Sequence, residues 1–155
     1  GGVYFVNESN NAISKNIFSQ SGVGIMLMGA LNTVVSFNTL TENGGGIMMI
    51  YTSNTLIYRN NLTYNKGGLA TVDTNADQIL QNNFIGNTKH NAVSSQQFVY
   101  KNLFMSVYYH TQFQRNVWDE NYWDGPRMFP YIIFGVFKLH FNIDWHPAQE
   151  PYDLP

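Results

Sequence analysis

The chain of 155 residues contains no cysteine, which excludes a disulfide framework, thiolate metal centres and a thiol nucleophile. Charge is scarce: Asp, Glu, Lys and Arg together make up 12% of the chain, and eight basic against ten acidic side chains leave a net charge of −2. That balance offers no basic surface wide enough to make nucleic acid the main partner. No apolar run reaches the roughly 18 residues of a membrane-spanning helix, so no transmembrane segment is expected. A leader of charged, apolar and small residues is also lacking, and any signal peptide is expected upstream or already removed. What is abundant lies elsewhere: aromatics make up 15%, and there are twenty asparagines. Few charges combined with many Asn, β-branched and aromatic residues favour extended strands joined by turns over helices.

The asparagines supply a ruler. Asn16, Asn38, Asn60 and Asn82 stand 22 residues apart, and Asn102 and Asn116 follow at 20 and 14. Two residues after each is a large apolar side chain (Phe18, Leu40, Leu62, Phe84, Phe104, Trp118), and three before each is another (Ile13, Val35, Ile57, Ile79, Val99, Phe113). Gly2, Gly24, Gly46 and Gly68 repeat at the same period, as do Asn10, Asn32 and Asn54, and Asn43, Asn65 and Asn87. Such a unit suits one coil of a parallel β-solenoid, in which each coil lies on the one before at about 4.8 Å and equivalent residues stack in files. An apolar file builds a continuous core. An Asn file at a corner tolerates left-handed backbone and passes amide hydrogen bonds from coil to coil. A leucine-rich repeat lacks support because its several leucines per unit are missing, and an antiparallel barrel would not hold one phase at a constant 22.

The units "GVGIMLMGALNTVVSFNTLTEN" and "GGGIMMIYTSNTLIYRNNLTYN" resemble repeats of right-handed parallel β-helix proteins of the pectate-lyase-like superfold. Within it they are most similar to the NosD-like group of secreted and cell-surface proteins. "NYWD" and "FNIDWHPAQEPYDLP" resemble the closing segment of archaeal surface members. The resemblance implies an all-β right-handed parallel β-helix of five to six coils and an extracellular or cell-surface location. It says little about chemistry, because the same coil carries lyases, hydrolases, adhesins and scaffolds. Coils are expected at approximately 1–21, 22–43, 44–65, 66–87, 88–107 and 108–118, with residues 119–155 as a cap. Within the cap, which holds all five prolines, strands are expected at Tyr131–Phe134 and Phe137–Phe141. An open first coil exposes unpaired backbone, so upstream residues of the same chain or another copy are expected to cover it.

Strand alternation after each glycine turns Val3 and Phe5, Ile25 and Leu27, Ile47 and Met49, and Leu69 and Thr71 inward. Tyr4, Val6, Met26, Met28, Met48, Ile50, Ala70 and Val72 then point outward, where a solvated face would carry polar residues. A sheet apolar on both sides is covered on both sides, here by the tail 128–141 or by a neighbouring chain. Thioethers bind Cu(I), and the group that the chain resembles is associated with copper. With no Cys or His at matching phase, however, the methionines read as packing residues. No cofactor is expected.

Catalysis finds no support in the residues. Glu8, Glu42, Asp73 and Asp77 fall at different phases of the coils, so no paired-carboxylate site forms. Asp119, Glu120 and Asp124 are a weak Ca²⁺ candidate, set against turn capping or pairing with Arg115 or Arg127. The histidines His90, His110, His140 and His146 lack metal-ligand spacing, and His146 is expected to fix its loop through Asp144. Tyr58, Tyr100, Tyr108 and Tyr109 form a possible carbohydrate platform beside asparagines. Asn7 and Asn61 open N-glycosylation sequons. The expected function is therefore a non-enzymatic structural solenoid that assembles with copies of itself through the apolar face and the open first coil. The alternatives are a carbohydrate-binding module and a fragment of a polysaccharide lyase or hydrolase.

Overall fold

The structure, a computed structural model, describes residues 1–95, 115–135 and 141–154. The first coil consists of β1 (Val3–Val6), β2 (Ala12–Ser14) and β3 (Ile17–Ser19), and the second of β4 (Val23–Met28), β5 (Val34–Ser36) and β6 (Thr39–Thr41). The third holds β7 (Gly45–Ile50), β8 (Leu56–Tyr58) and β9 (Asn61–Thr63), and the fourth β10 (Gly67–Val72), β11 (Gln78–Leu80) and β12 (Asn83–Ile85). The fifth comprises β13 (His90–Ser95), β14 (Val117–Asp119) and β15 (Tyr122–Trp123), and β16 (Tyr131–Phe134) and β17 (Phe141–Asp144) follow.

Three sheets result, with strand orders β1-β4-β7-β10-β13, β16-β17-β14-β11-β8-β5-β2 and β15-β12-β9-β6-β3. Every pairing is parallel except β16 with β17. The fold is thus an all-β parallel solenoid of five coils, and partners such as Ile25↔Ile47 and Leu40↔Leu62 lie 22 residues apart. The period then slips, and this moves two expected boundaries. β10 pairs β13 one residue late, through Gly67↔His90, and β11 pairs directly with β14 through Ile79↔Trp118. Among the described residues, β13, β14 and β15 thus form the one coil that follows the fourth, and residues 96–114, Asn102 among them, lie outside the described residues. β15 pairs parallel with β12, so the stack runs on through Trp123 and not to 118. In the cap β16 has its expected bounds, whereas the second strand is Phe141–Asp144; residues 136–140 lie outside the described residues.

The core is built from apolar files. Phe18, Leu40, Leu62, Phe84 and Trp123 stack along one sheet, and Ile13, Val35, Ile57, Ile79 and Trp118 along another. Ile25, Leu27, Ile47, Met49 and Leu69 fill the third side, and all are buried. The glycine file reflects close approach between coils and not positive φ: a Cβ on Gly46 would sit 2.6 Å from the Gly68 carbonyl oxygen. At the C-terminal end the core is closed by aromatic stacking. The Trp123 ring lies 4.5 Å from Phe84 on one side and 4.0 Å from Tyr131 on the other, and Arg127 sits over Tyr131.

Candidate functional site

The asparagine files divide the corner work differently from the expectation. The left-handed residue at the corner between the two short strands is Lys15, Phe37, Arg59, Gln81 or Glu120, each at φ between 50° and 57°. The ladder Asn comes next and points inward. Asn38 donates through its backbone N–H and Nδ2 to Asn60 Oδ1, both at 3.0 Å, and Nδ2 also donates to the Ile13 and Ser36 carbonyls. This pattern joins Asn16, Asn38, Asn60 and Asn82, then passes to Asn121 and not to Asn116. Left-handed backbone at a non-glycine residue costs about 1–2 kcal/mol, and the buried amide network offsets that cost. Asn10, Asn32 and Asn54 do occupy left-handed corners. Asn43, Asn65 and Asn87 form a second inward ladder.

Asn116 belongs to another file. Its Oδ1 accepts from the backbone N–H of Asp77, as Asp77 Oδ1 accepts from Thr55. The corresponding misplacement of Trp118 follows, because Trp123 is the residue two after the true ladder Asn. The repeat of Ile79-x-x-Asn82-x-Phe84 in Trp118-x-x-Asn121-x-Trp123 was the signal for it. The ladder ends on a carboxylate: Asp144 Oδ2 accepts from the Asn121 backbone N–H, Asn121 Nδ2 and Trp123 Nε1.

The outer face of the long sheet is in register. Tyr4, Met26, Met48, Ala70 and Val93 form one file, and Val6, Met28, Ile50, Val72 and Ser95 the next. Tyr4 is 59% and Val6 54% exposed, and the other apolar members are half-buried. The described part of the tail packs elsewhere. β16 contacts β13, and β17 contacts β13 and β14, at the end of the stack. The Tyr152 backbone exchanges hydrogen bonds with the Asn83 side chain on β12.

The other candidates are spread out. Asp119, Glu120 and Asp124 each have a separate partner: the His146 ring at 2.8 Å, Gln81 Nε2 at 2.6 Å and the Gly86 backbone N–H at 2.8 Å. Arg127 instead donates to the Trp123 carbonyl. His146 does meet Asp144, but through its backbone N–H, while its ring goes to Asp119. Tyr58 packs edge-on against Phe37 with Arg59 above its ring; Tyr100, Tyr108 and Tyr109 lie outside the described residues. Asn7 is exposed, whereas Asn61 Oδ1 accepts from Asn83. Asp77 is fully buried against Thr52 and Thr55, and burial pushes its carboxyl up to about 6.

The family model described as "Periplasmic copper-binding protein (NosD)" matches residues 1–139. No curated protein and no solved structure matches the chain.

Proposed function

The chain belongs to the NosD family, and on that premise we propose that it is a non-enzymatic structural solenoid that associates with copies of itself through the outer face of the long sheet. The family and the parallel solenoid support an extracytoplasmic β-helix protein in the cell envelope. The observation that carries the finer reading is the apolar outer file pair, Tyr4, Met26, Met48 beside Val6, Met28, Ile50, Val72, on a sheet whose inner face is already core. Contiguous apolar surface of that extent marks an interaction site, and a flat sheet face suits a second flat sheet face at about 10 Å. The edge strands β1, β2 and β3 offer further backbone pairing to another copy or to upstream residues of the same chain.

Copper chemistry forms no part of this reading. Among the described residues no group of three or more His, Cys, Asp or Glu side chains converges. In register the outward methionines stand beside Tyr4, Ile50 and Ala70. Met26, Met28 and Met48 run in apolar files, and we read them as packing residues of the contact face. The non-enzymatic reading is supported by the separate partners of Asp119, Glu120 and Asp124 and by the burial of Asp77.

Sedimentation velocity tests the reading. The wild-type chain is expected to form dimers or larger species as its concentration rises, and Met26→Glu/Met48→Glu, at surface positions, to remain monomeric with an unchanged β-sheet spectrum. A wild-type monomer at high concentration overturns it.

A further inference from the structure

Toward the C-terminal coils the outer face is dented, and the residues that dent it are readable. In the file Tyr4, Met26, Met48, Ala70, Val93 one small side chain stands between two larger ones. In the neighbouring file Val23, Gly45, Gly67, His90, two glycines remove the side chains altogether. The result is a groove of about 380 Å³ walled mainly by Met48, Ala70, Val72 and Val93. This volume falls at the small end of ligand sites. A Cβ on Gly67 would lie 2.6 Å from Nε2 of His90, so a side chain there would displace the His90 ring.

The titratable residues of the groove are all basic, beside the hydroxyls of Thr71 and Ser95. Lys66 and Lys89 line it with His90, and no carboxylate does. The two lysines occupy successive coils, the Lys89 backbone N–H donating to the Lys66 carbonyl at 2.8 Å. Among the described residues neither is in an ion pair. An anion between the two ammonium groups would be held by charge-assisted hydrogen bonds from both coils. His90, held below its ordinary value by burial and then by Lys89, adds a ring N–H donor to the same end of the groove.

We propose that this groove binds an aliphatic carboxylate, its chain along Met48, Ala70 and Val72 and its carboxylate between Lys66 and Lys89. The apolar walls select a hydrocarbon chain over a sugar. The paired ammonium groups select an anionic head over a neutral or cationic one. The site lies within one chain, but its walls Met48 and Val72 also belong to the proposed contact face, so decanoate and a second copy compete for them.

Titration calorimetry on the full chain tests it with decanoate, decanol and decyltrimethylammonium below their aggregation concentrations. Decanoate is expected to bind one per chain, about tenfold more tightly than decanol, with no binding of the cation. Lys66→Gln/Lys89→Gln should bring decanoate to the level of decanol, and Ala70→Leu, which fills the dent, should abolish binding of both. Equal affinity for decanoate and the cation, or decanoate binding unchanged in Ala70→Leu, overturns the proposal. Sedimentation of the same samples separates the two readings. Absence of decanoate binding at concentrations where the chain is monomeric refutes the groove and leaves assembly standing, whereas a chain that binds decanoate and stays monomeric at high concentration does the reverse.

Discussion

At the scale of single residues, the fold is governed by what stacking demands of polar groups placed inside. An amide can extend a ladder in both directions because it accepts at Oδ1 and donates at Nδ2. The last member needs only to accept. Asp144 meets that need, taking three donors on Oδ2 and the His146 backbone N–H on Oδ1. Asp77 is the opposite case: a carboxyl in a position that an amide fills one coil on, where Asn116 Oδ1 accepts from Asp77 and Nδ2 donates to Thr74. Burial raises the Asp77 carboxyl from 3.8 to about 6, so the folded state holds its proton more tightly than the unfolded one. The associated stability is fully present below pH about 4 and is lost as pH rises through about 6, a change of roughly 3 kcal/mol. Denaturant unfolding at pH 4 and pH 7.5 should show this decline in the wild type. Asp77→Asn, whose amide can repeat the Asn116 pattern toward Thr55 and Thr52, should largely remove it. An undiminished decline in the variant would assign the pH dependence to other groups.

At the scale of elements, the files at period 22 were legible because parallel stacking repeats a residue's environment as well as its backbone. Ile13 through Ile79 and Phe18 through Phe84 meet their own kind. Legibility stopped where the spacing changed. The next ladder member stands 39 positions after Asn82, and a ruler shortened to 20 and then 14 placed Asn116 in a file to which it does not belong. The amphiphilic groove was also missed. Lys66, Lys89 and His90 are unremarkable singly, and the one-residue slip at β13 is what brings His90 beside Gly67. The closing element has its own test. Trp123 is fully buried between Phe84 and Tyr131, and Trp123→Ala should cost about 3–5 kcal/mol in denaturant unfolding and expose the end of the core to a hydrophobic dye. A loss below about 1 kcal/mol, small even for a point substitution, would show that the stack and its cap do not share one core.

At the scale of the whole molecule, the solenoid has three outer faces of different character. The two short-strand sheets meet at corners that carry Lys15, Arg59, Gln81 and Glu120 beside the aromatic Phe37, and the described tail lies along one of them through Tyr152 and Asn83. The long sheet carries the apolar files and, near its C-terminal coils, the lysine-lined groove. The central claim is that a second copy covers the methionine-bearing part of that face. The chain has no cysteine, so Met48→Cys introduces a unique thiol at the centre of the proposed contact, and Asn32→Cys introduces one at an exposed corner of another face. Under mild oxidation at low protein concentration, the account predicts rapid disulfide-linked dimers for Met48→Cys and slow, concentration-limited ones for Asn32→Cys. Equal slow rates for the two variants would contradict it.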